Sequence, residues 1–293
     1  MAHWLVTGGA GQLGRELSGL LAANGADAIS LGHAELDVSD ADAVDGAVRE
    51  QRPAVVVNCA AWTAVDAAET HEPEALHING AGAANLARAC ARAEVPLVQI
   101  STDYVFDGRA TQPYPEDATP HPRTAYGRTK LAGERAVREL LPERGYVLRT
   151  AWLYGEHGPN FVRTMIELSA RRSTVDVVAD QIGQPTWTRD LAEQVFALVG
   201  SGAPAGIYHG TNAGEISWYG LARQTFALLG ADPDRVRPTQ SEAIPRPAQR
   251  PAYSVLGHDR WAAVGLPAMR GWREALTEAF PVLLAAATRS GAG

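Results

Sequence analysis

Tyr126 and Lys130 stand in "TAYGRTKLAGE" at a spacing of i and i+4, which on a helix puts both side chains on one face, one turn apart. A phenol and an ammonium so placed can move a proton. A free tyrosine, with a pKa of about 10, holds its proton too tightly for fast exchange near neutrality. An ammonium within ~4–6 Å favours the phenolate and lowers that value by ~1–3 pH units. Lys130 is expected to act on Tyr126 in this way while also holding the ribose of a cofactor. Upstream, "STDYVFDG" presents Ser101, Thr102, Asp103 and Tyr104 in succession. The Thr102 hydroxyl would hydrogen-bond a ketone oxygen and polarise it as hydride reaches the carbon. In isolation, Tyr-x-x-x-Lys more often describes a half-buried tyrosine beside a solvated lysine. The rest of the chain must therefore supply a hydride carrier and a place for a substrate.

The carrier is indicated near the N-terminus. "VTGGAGQLGRE" holds Gly8, Gly11 and Gly14 in a G-x-x-G-x-x-G spacing, directly after a strand-like run and at the opening of a helical one. In that context the glycines allow a tight turn, close approach of backbone to a pyrophosphate, and close packing of helix on sheet. The helix N-terminus then offers free N–H groups to the phosphates. The competing reading is a purely structural turn. NAD-selective sites end the second strand with an acidic residue for the ribose 2′-hydroxyl. Here that strand ends "SLGH", with Gly32 and His33, and Arg15 follows the last glycine. NADPH is favoured, with NADH as the alternative. Asp37, in "LDVSD", is placed either to receive the adenine amino group or to cap a helix.

The first half of the chain alternates β-rich runs with helical patterns. Strands are expected at "HWLVT", "DAISLG", "AVVVNCA", "PLVQIS" and "GYVLRTAWLY", and Ser39 is expected to cap the helix in "SDADAVDGAVREQ". "AVVVNCA" is almost continuously apolar, as in a strand buried on both faces. The alternation implies an α/β, Rossmann-type doubly wound parallel sheet with right-handed crossovers. From about Phe161 helices separated by short strands and a proline-rich connector replace this rhythm. The division expected is a dinucleotide-binding domain over 1–155, joined by some later segments, and a smaller α+β substrate lobe over 156–293. Ligands of open α/β sheets sit beyond the carboxyl ends of the strands. Those ends here are "NCAAWTAVD", "STDYVFDG" and "RTAWLYG", and the last delivers Trp152 and Tyr154. Either could be a core aromatic, whereas a flat indole at position 152 could face a sugar or thymine ring. Arg250, in "QRPAYS", is either a diphosphate partner or a surface arginine.

Composition excludes several classes. The 293 residues are 46% hydrophobic and 20% charged, with a formal net charge of −7 and no basic stripe, so nucleic-acid binding is not expected. No run is long and apolar enough for a transmembrane helix, and "MAHWLVTGG" leaves no room for a signal peptide. Cys59 and Cys90 both lie in apolar stretches, which fits a reducing cytoplasm better than a disulfide framework.

These motifs resemble the extended short-chain dehydrogenase/reductases, and within them the dTDP-4-dehydrorhamnose reductase family. The resemblance runs along almost the whole chain, through "GGAGQLG", "VVNCAAWTAVDAAE", "STDYVFDG", "YGRTKLAGE", "LRTAWLYG", "NFVRTM", "DQIGQPT" and "RPAYSVL". It implies NAD(P)H-dependent reduction of the 4-keto group of a dTDP-4-dehydro-6-deoxyhexose, by a monomer or homodimer. It places Thr102, Tyr126 and Lys130 on the catalytic triad. Gly11, Gln12, Leu13, Asp37, Val38, Ala61, Trp62 and Thr63 fall on cofactor positions, and Thr102, Asp103, Tyr104 and Trp152 on substrate positions. Related 4,6-dehydratases carry Asp-Glu after the threonine; Asp103-Tyr104 lacks that elimination machinery. Trp62 stands where family members often have histidine. Mg²⁺ enters through the resemblance alone, and the sequence offers no carboxylate cluster to match it, so no metal ligand is assigned. Two other functions share these residues: reduction of a related dTDP-sugar of antibiotic biosynthesis, of dihydrostreptose type, and a non-catalytic regulatory subunit on the same fold. Intact Thr102, Tyr126 and Lys130 speak against the subunit.

Overall fold

The computed structural model describes residues 3–290. Five parallel strands of the first half, β1 (His3–Thr7), β2 (Asp27–Leu31), β3 (Val55–Asn58), β4 (Leu97–Thr102) and β5 (Gly145–Thr150), build the central sheet. A later strand, Gly206–His209, pairs with β5 and completes the order Gly206–His209, β5, β4, β3, β1, β2. The sheet is Rossmann-like, as the alternating pattern requires. Side chains alternate between its faces. Trp4, Val6, Val55, Val57 and Val98 join one cluster with Leu17, Leu21 and Leu191, whereas Leu5, Val56 and Leu97 join another with Val48, Leu86 and Val137. Because helices cover both faces, these strands read as continuous apolar runs.

The boundary expected near residue 155 is crossed by the chain. Thr188–Gly200 packs its Leu191, Val195 and Leu198 into the same cluster as the first helix, Gln12–Ala23, and Gly206–His209 enters the main sheet. Helices Phe161–Arg171, Trp218–Leu228 and Trp272–Ser290, with the parallel strand pair Val175–Val178 and Val236–Thr239, form separate clusters beyond the sheet.

Three local expectations change. Asp40, not Ser39, caps the helix Ala41–Gln51, its carboxylate accepting from the Asp42 and Ala43 amides at 3.0 Å. The fifth strand stops at Thr150 because Trp152 turns left-handed, φ +46°. That conformation is an outlier for a bulky residue. Tyr154 lies beyond the turn, buried in a core cluster of the second half rather than at the strand end. The helical stretch 77–93 starts as a π-helical segment, His77–Gly82, before Ala83–Ala93 continues it. Such bulges gather at functional sites, and this one carries Asn79. Among the described residues no helix is long and apolar enough to cross a membrane.

Candidate active site

The strand order reverses between β1 and β3, and a cleft of about 710 Å³ opens there at the carboxyl ends of the strands, where ligands of such sheets lie. Its first wall is the glycine turn. Gly8 sits at φ +66°, and a Cβ there would stand 2.4 Å from the Ala60 amide nitrogen; a Cβ on Gly14 would stand 2.4 Å from the Gly8 carbonyl oxygen. Only glycine lets the turn, β3 and the first helix approach so closely. Gly11 begins that helix without a side-chain cap, which leaves first-turn amides facing the cleft. Gln12 donates to the Pro159 carbonyl at 3.0 Å, and its own Oε1 is buried without a partner. A turn of close-packed glycines with uncapped first-turn amides fits the pyrophosphate end of a nicotinamide dinucleotide.

Gly8, Gly11, Gln12, Leu13, Gly14, Asp37, Val38, Ala61 and Thr63 all line this cleft, together with Thr102, Asp103, Tyr104, Tyr126, Lys130 and Trp152. Trp62 does not. Its backbone is clasped by Asn79, which accepts from the Trp62 amide at 2.9 Å, while its ring stacks on His71 at 6.1 Å and donates Nε1–H to the Ala64 carbonyl at 3.1 Å. The Asp37 carboxylate accepts from the Ser39 amide and hydroxyl at 2.9 and 2.7 Å, and these bonds hold it below the usual carboxylate range. At the end of β2 the expected lack of a carboxylate is only partly met. Glu35 folds back and accepts from the Gly32 amide at 2.8 Å, while Arg15 is exposed and ties its Nε to the Ala10 carbonyl.

At the centre, the helix Ala125–Leu140, capped by the Thr124 hydroxyl on the Gly127 amide, carries Tyr126 and Lys130 to the end of β4. Tyr126 lies beside Thr102, whose hydroxyl is the one neighbour that favours its ionised form. Thr102 Oγ1 donates to Asp103 Oδ1 at 2.9 Å and accepts from the Tyr104 amide at 3.2 Å. Lys130 Nζ donates to the Ile100 carbonyl at 2.6 Å.

The electrostatics correct one expectation. Tyr126 is pushed up, not down: burial raises it first, nearby Asp103 adds to that, and only the Thr102 hydrogen bond lowers it. In the resting protein Lys130 is not among the groups that shift Tyr126, and burial dominates both side chains. The lysine itself falls to about 8 through desolvation, against a raising effect of Glu134. Asp103 rises to about 6, again through burial, although hydrogen bonding with Ser254 and Thr102 opposes it. The Ser254 contact is loose, for Asp103 Oδ2 and Ser254 Oγ both lack a properly formed hydrogen bond.

Around the mouth, Tyr104 meets Tyr126 edge-on at 5.6 Å. Trp152 stacks on Trp218 at 3.5 Å and 9°, and Gly183 leaves it room, since a Cβ there would stand 2.5 Å from the indole. Arg250 is not free. Both its Nη atoms pair with Asp66, at 2.9 and 2.8 Å, behind a small cavity of about 180 Å³ that adjoins the cleft at Tyr104. Asn79 and Ser254 carry no sequence signal of their role at the site. Asn79 lay inside a helical pattern with nothing to mark it, and Ser254 belonged to the quoted "RPAYSVL" without a role. Among the described residues no three His, Cys, Asp or Glu side chains gather as a metal site, so Mg²⁺ has no support here.

The family model described as the RmlD substrate binding domain matches residues 2–284. A dTDP-4-dehydrorhamnose reductase of Streptomyces griseus is 58% identical over 98% of this chain and 96% of its own length. A dTDP-4-keto-6-deoxy-D-glucose reductase of Streptomyces niveus is 54% identical, covering 96% and 97%. Among solved structures, dTDP-4-dehydrorhamnose reductase from Bacillus anthracis in complex with NADP superposes with a TM-score of 0.92 at 38% identity, covering 96% of this chain and 99% of that one.

Proposed function

The chain belongs to the dTDP-4-dehydrorhamnose reductase family, described by the RmlD substrate binding domain, and on that premise we propose that it reduces the 4-keto group of a dTDP-4-dehydro-6-deoxyhexose with a nicotinamide cofactor. The observation that carries this reading is the meeting of Thr102, Tyr126 and Lys130 at the floor of a cleft that begins in the Gly8–Gly14 turn. In this proposal the bound cofactor supplies hydride to the ketone carbon. The chain supplies the rest. Gly11, Gln12 and the first-turn amides receive the pyrophosphate, Leu13 and Val38 pack the dinucleotide, and Lys130 holds a ribose. Tyr126, kept protonated by burial and by Asp103, starts as the acid that ketone reduction requires. Thr102 receives the substrate oxygen beside it, and the Lys130 ammonium one turn away lowers the cost of the phenolate left behind. Tyr104 and Trp152 border the sugar site. Arg250, neutralised by Asp66, orders the connector behind Tyr104 instead of binding diphosphate directly.

NADPH is the proposed carrier. Exposed Arg15 at the glycine turn and His33 on the cleft wall suit a 2′-phosphate, and Glu35 is occupied by the Gly32 amide. The sugar proposed is dTDP-4-dehydrorhamnose. A second reading is a different dTDP-4-keto-6-deoxy sugar, favoured by the name of the Streptomyces niveus relative. The test incubates the protein with NADPH and each dTDP-4-keto-6-deoxyhexose, follows NADPH loss, and assigns the product's C4 configuration by NMR. Turnover of the dehydrorhamnose substrate to the rhamnose product is expected. Absence of turnover on every such sugar, together with tight binding to another protein, would favour the regulatory subunit instead.

A further inference from the structure

Of the 26 lysine and arginine residues of the chain, 25 are arginine, and the single lysine is Lys130. An ammonium differs from a guanidinium in being compact and able to lose its proton when buried, so the surroundings of this one position decide whether it stays charged. Tyr126, Lys130 and Glu134 form one stripe of the helix Ala125–Leu140, a turn apart each. They engage three successive residues of β4. Tyr126 lies beside Thr102, Lys130 Nζ donates to the Ile100 carbonyl at 2.6 Å, and Glu134 Oε1 accepts from Ser101 Oγ at 2.5 Å. From β5, Arg149 stands in register with Ser101 and donates its Nε and Nη2 to the two Glu134 oxygens at 2.9 and 2.7 Å. Arg149 is 0% and Glu134 2% exposed.

A buried ion pair is a poor way to hold a helix on a sheet, because desolvation offsets the attraction and an apolar pair of like volume does as well. Its consequence for the neighbouring turn is different. We propose that Glu134, fixed by Arg149 and Ser101, is a positioning residue that keeps Lys130 an ammonium and aimed at the end of β4, one turn from Tyr126. This rests on the reading that Tyr126 and Lys130 carry the proton transfer. Burial drags Lys130 to about 8, and Glu134 is the larger of the two influences resisting that fall. The other is the Cys59 thiol beyond β3, which burial pushes up to about 12, so that it is uncharged at neutral pH. Arg149 engages both Glu134 oxygens, so the carboxylate supports Lys130 from a fixed place without folding onto it.

The single lysine makes the test direct. Protein grown on [13C]lysine gives one side-chain resonance, whose titration midpoint is read without cofactor in the unaltered protein, in Glu134→Gln, and in Glu134→Gln/Arg149→Met. The double variant spares Arg149 from standing as an unpaired buried charge and so guards against misfolding of the single one. The midpoint is expected to fall by about one pH unit or more in both. In the assay with NADPH, kcat near neutrality is expected to drop about three- to ten-fold, with recovery toward lower pH and little change in KM. An unchanged midpoint in the folded double variant overturns the inference, whatever the activity. A shifted midpoint in a protein without ketoreductase activity supports the link between Glu134 and Lys130 and overturns the functional reading on which its catalytic meaning rests.

Discussion

Replacing Asp103 by asparagine is expected to make the protein more stable and less active. The Asp103 carboxyl is 2% exposed and raised from an ordinary value of 3.8 to about 6, chiefly by burial. A raised carboxyl means that the folded state binds its proton more tightly than the unfolded one does. Its favourable contribution is therefore complete below pH ~4 and is lost as pH rises through about 6. At 1.36 kcal/mol per pH unit, the native state at pH 7 carries about 3 kcal/mol of cost from keeping this carboxylate ionised in the interior. Asparagine removes the charge and keeps the shape. Its Oδ1 still accepts from Thr102 Oγ1, and its amide can donate to Ser254 Oγ, which now lacks a partner. Urea denaturation of Asp103→Asn at pH 7 should show a gain of up to about 3 kcal/mol, or a rise in Tm of roughly 5–10 °C. The gain should shrink toward zero between pH 6 and pH ~4. Other titrating groups are common to both proteins and cancel in the difference. Turnover should fall in the same variant, the stability cost being one that an active site tolerates for function. A variant less stable than the parent at pH 7, or a difference flat across that pH range, would refute the argument that burial sets this ionisation.

Tyr126→Phe removes only the hydroxyl that Thr102 contacts; turnover should fall by about 10²–10⁴ while NADPH binding, read by fluorescence, stays within a few fold. Retention of substantial ketoreductase activity would sink the acid role. Gly183→Ala places a methyl 2.5 Å from the Trp152 indole, so KM for the dTDP-sugar should rise with little effect on NADPH affinity; equal losses in both would count against Trp152 as a sugar-side residue. Gly14→Ala puts a Cβ 2.4 Å from the Gly8 carbonyl, and cofactor affinity and stability should drop together in calorimetry. His209, fully buried and lowered to about 3 by burial first and by Arg149 next, should drive acid unfolding. Its contribution is present above pH ~6.5 and lost below it, costing about 3 kcal/mol by pH 4, a slope that His209→Gln should flatten.

What the sequence determined by itself is local and periodic. Gly8, Gly11 and Gly14 after an apolar strand, and Tyr126 with Lys130 at helical spacing, need only the chain's own geometry to be legible, because spacing along a strand or helix decides which side chains share a face. Alternation of strand and helix determined the parallel sheet for the same reason. Tertiary structure decided whatever depends on partners distant in sequence. Trp62 turned away from the cleft because Asn79 clasps its backbone, and Arg250 was claimed by Asp66 across the proline-rich connector. Asp40 displaced Ser39 as a cap because Ser39 was bound to Asp37. The direction in which Tyr126 shifts was also out of reach of the motif. A spacing states how near a charge lies, whereas the pKa depends on how much water the fold has taken away, and here the loss of water sets the direction while the ammonium one turn off is not among the groups that shift the phenol. Neighbours in the chain can be read from residue types; burial is a property of the whole packed molecule.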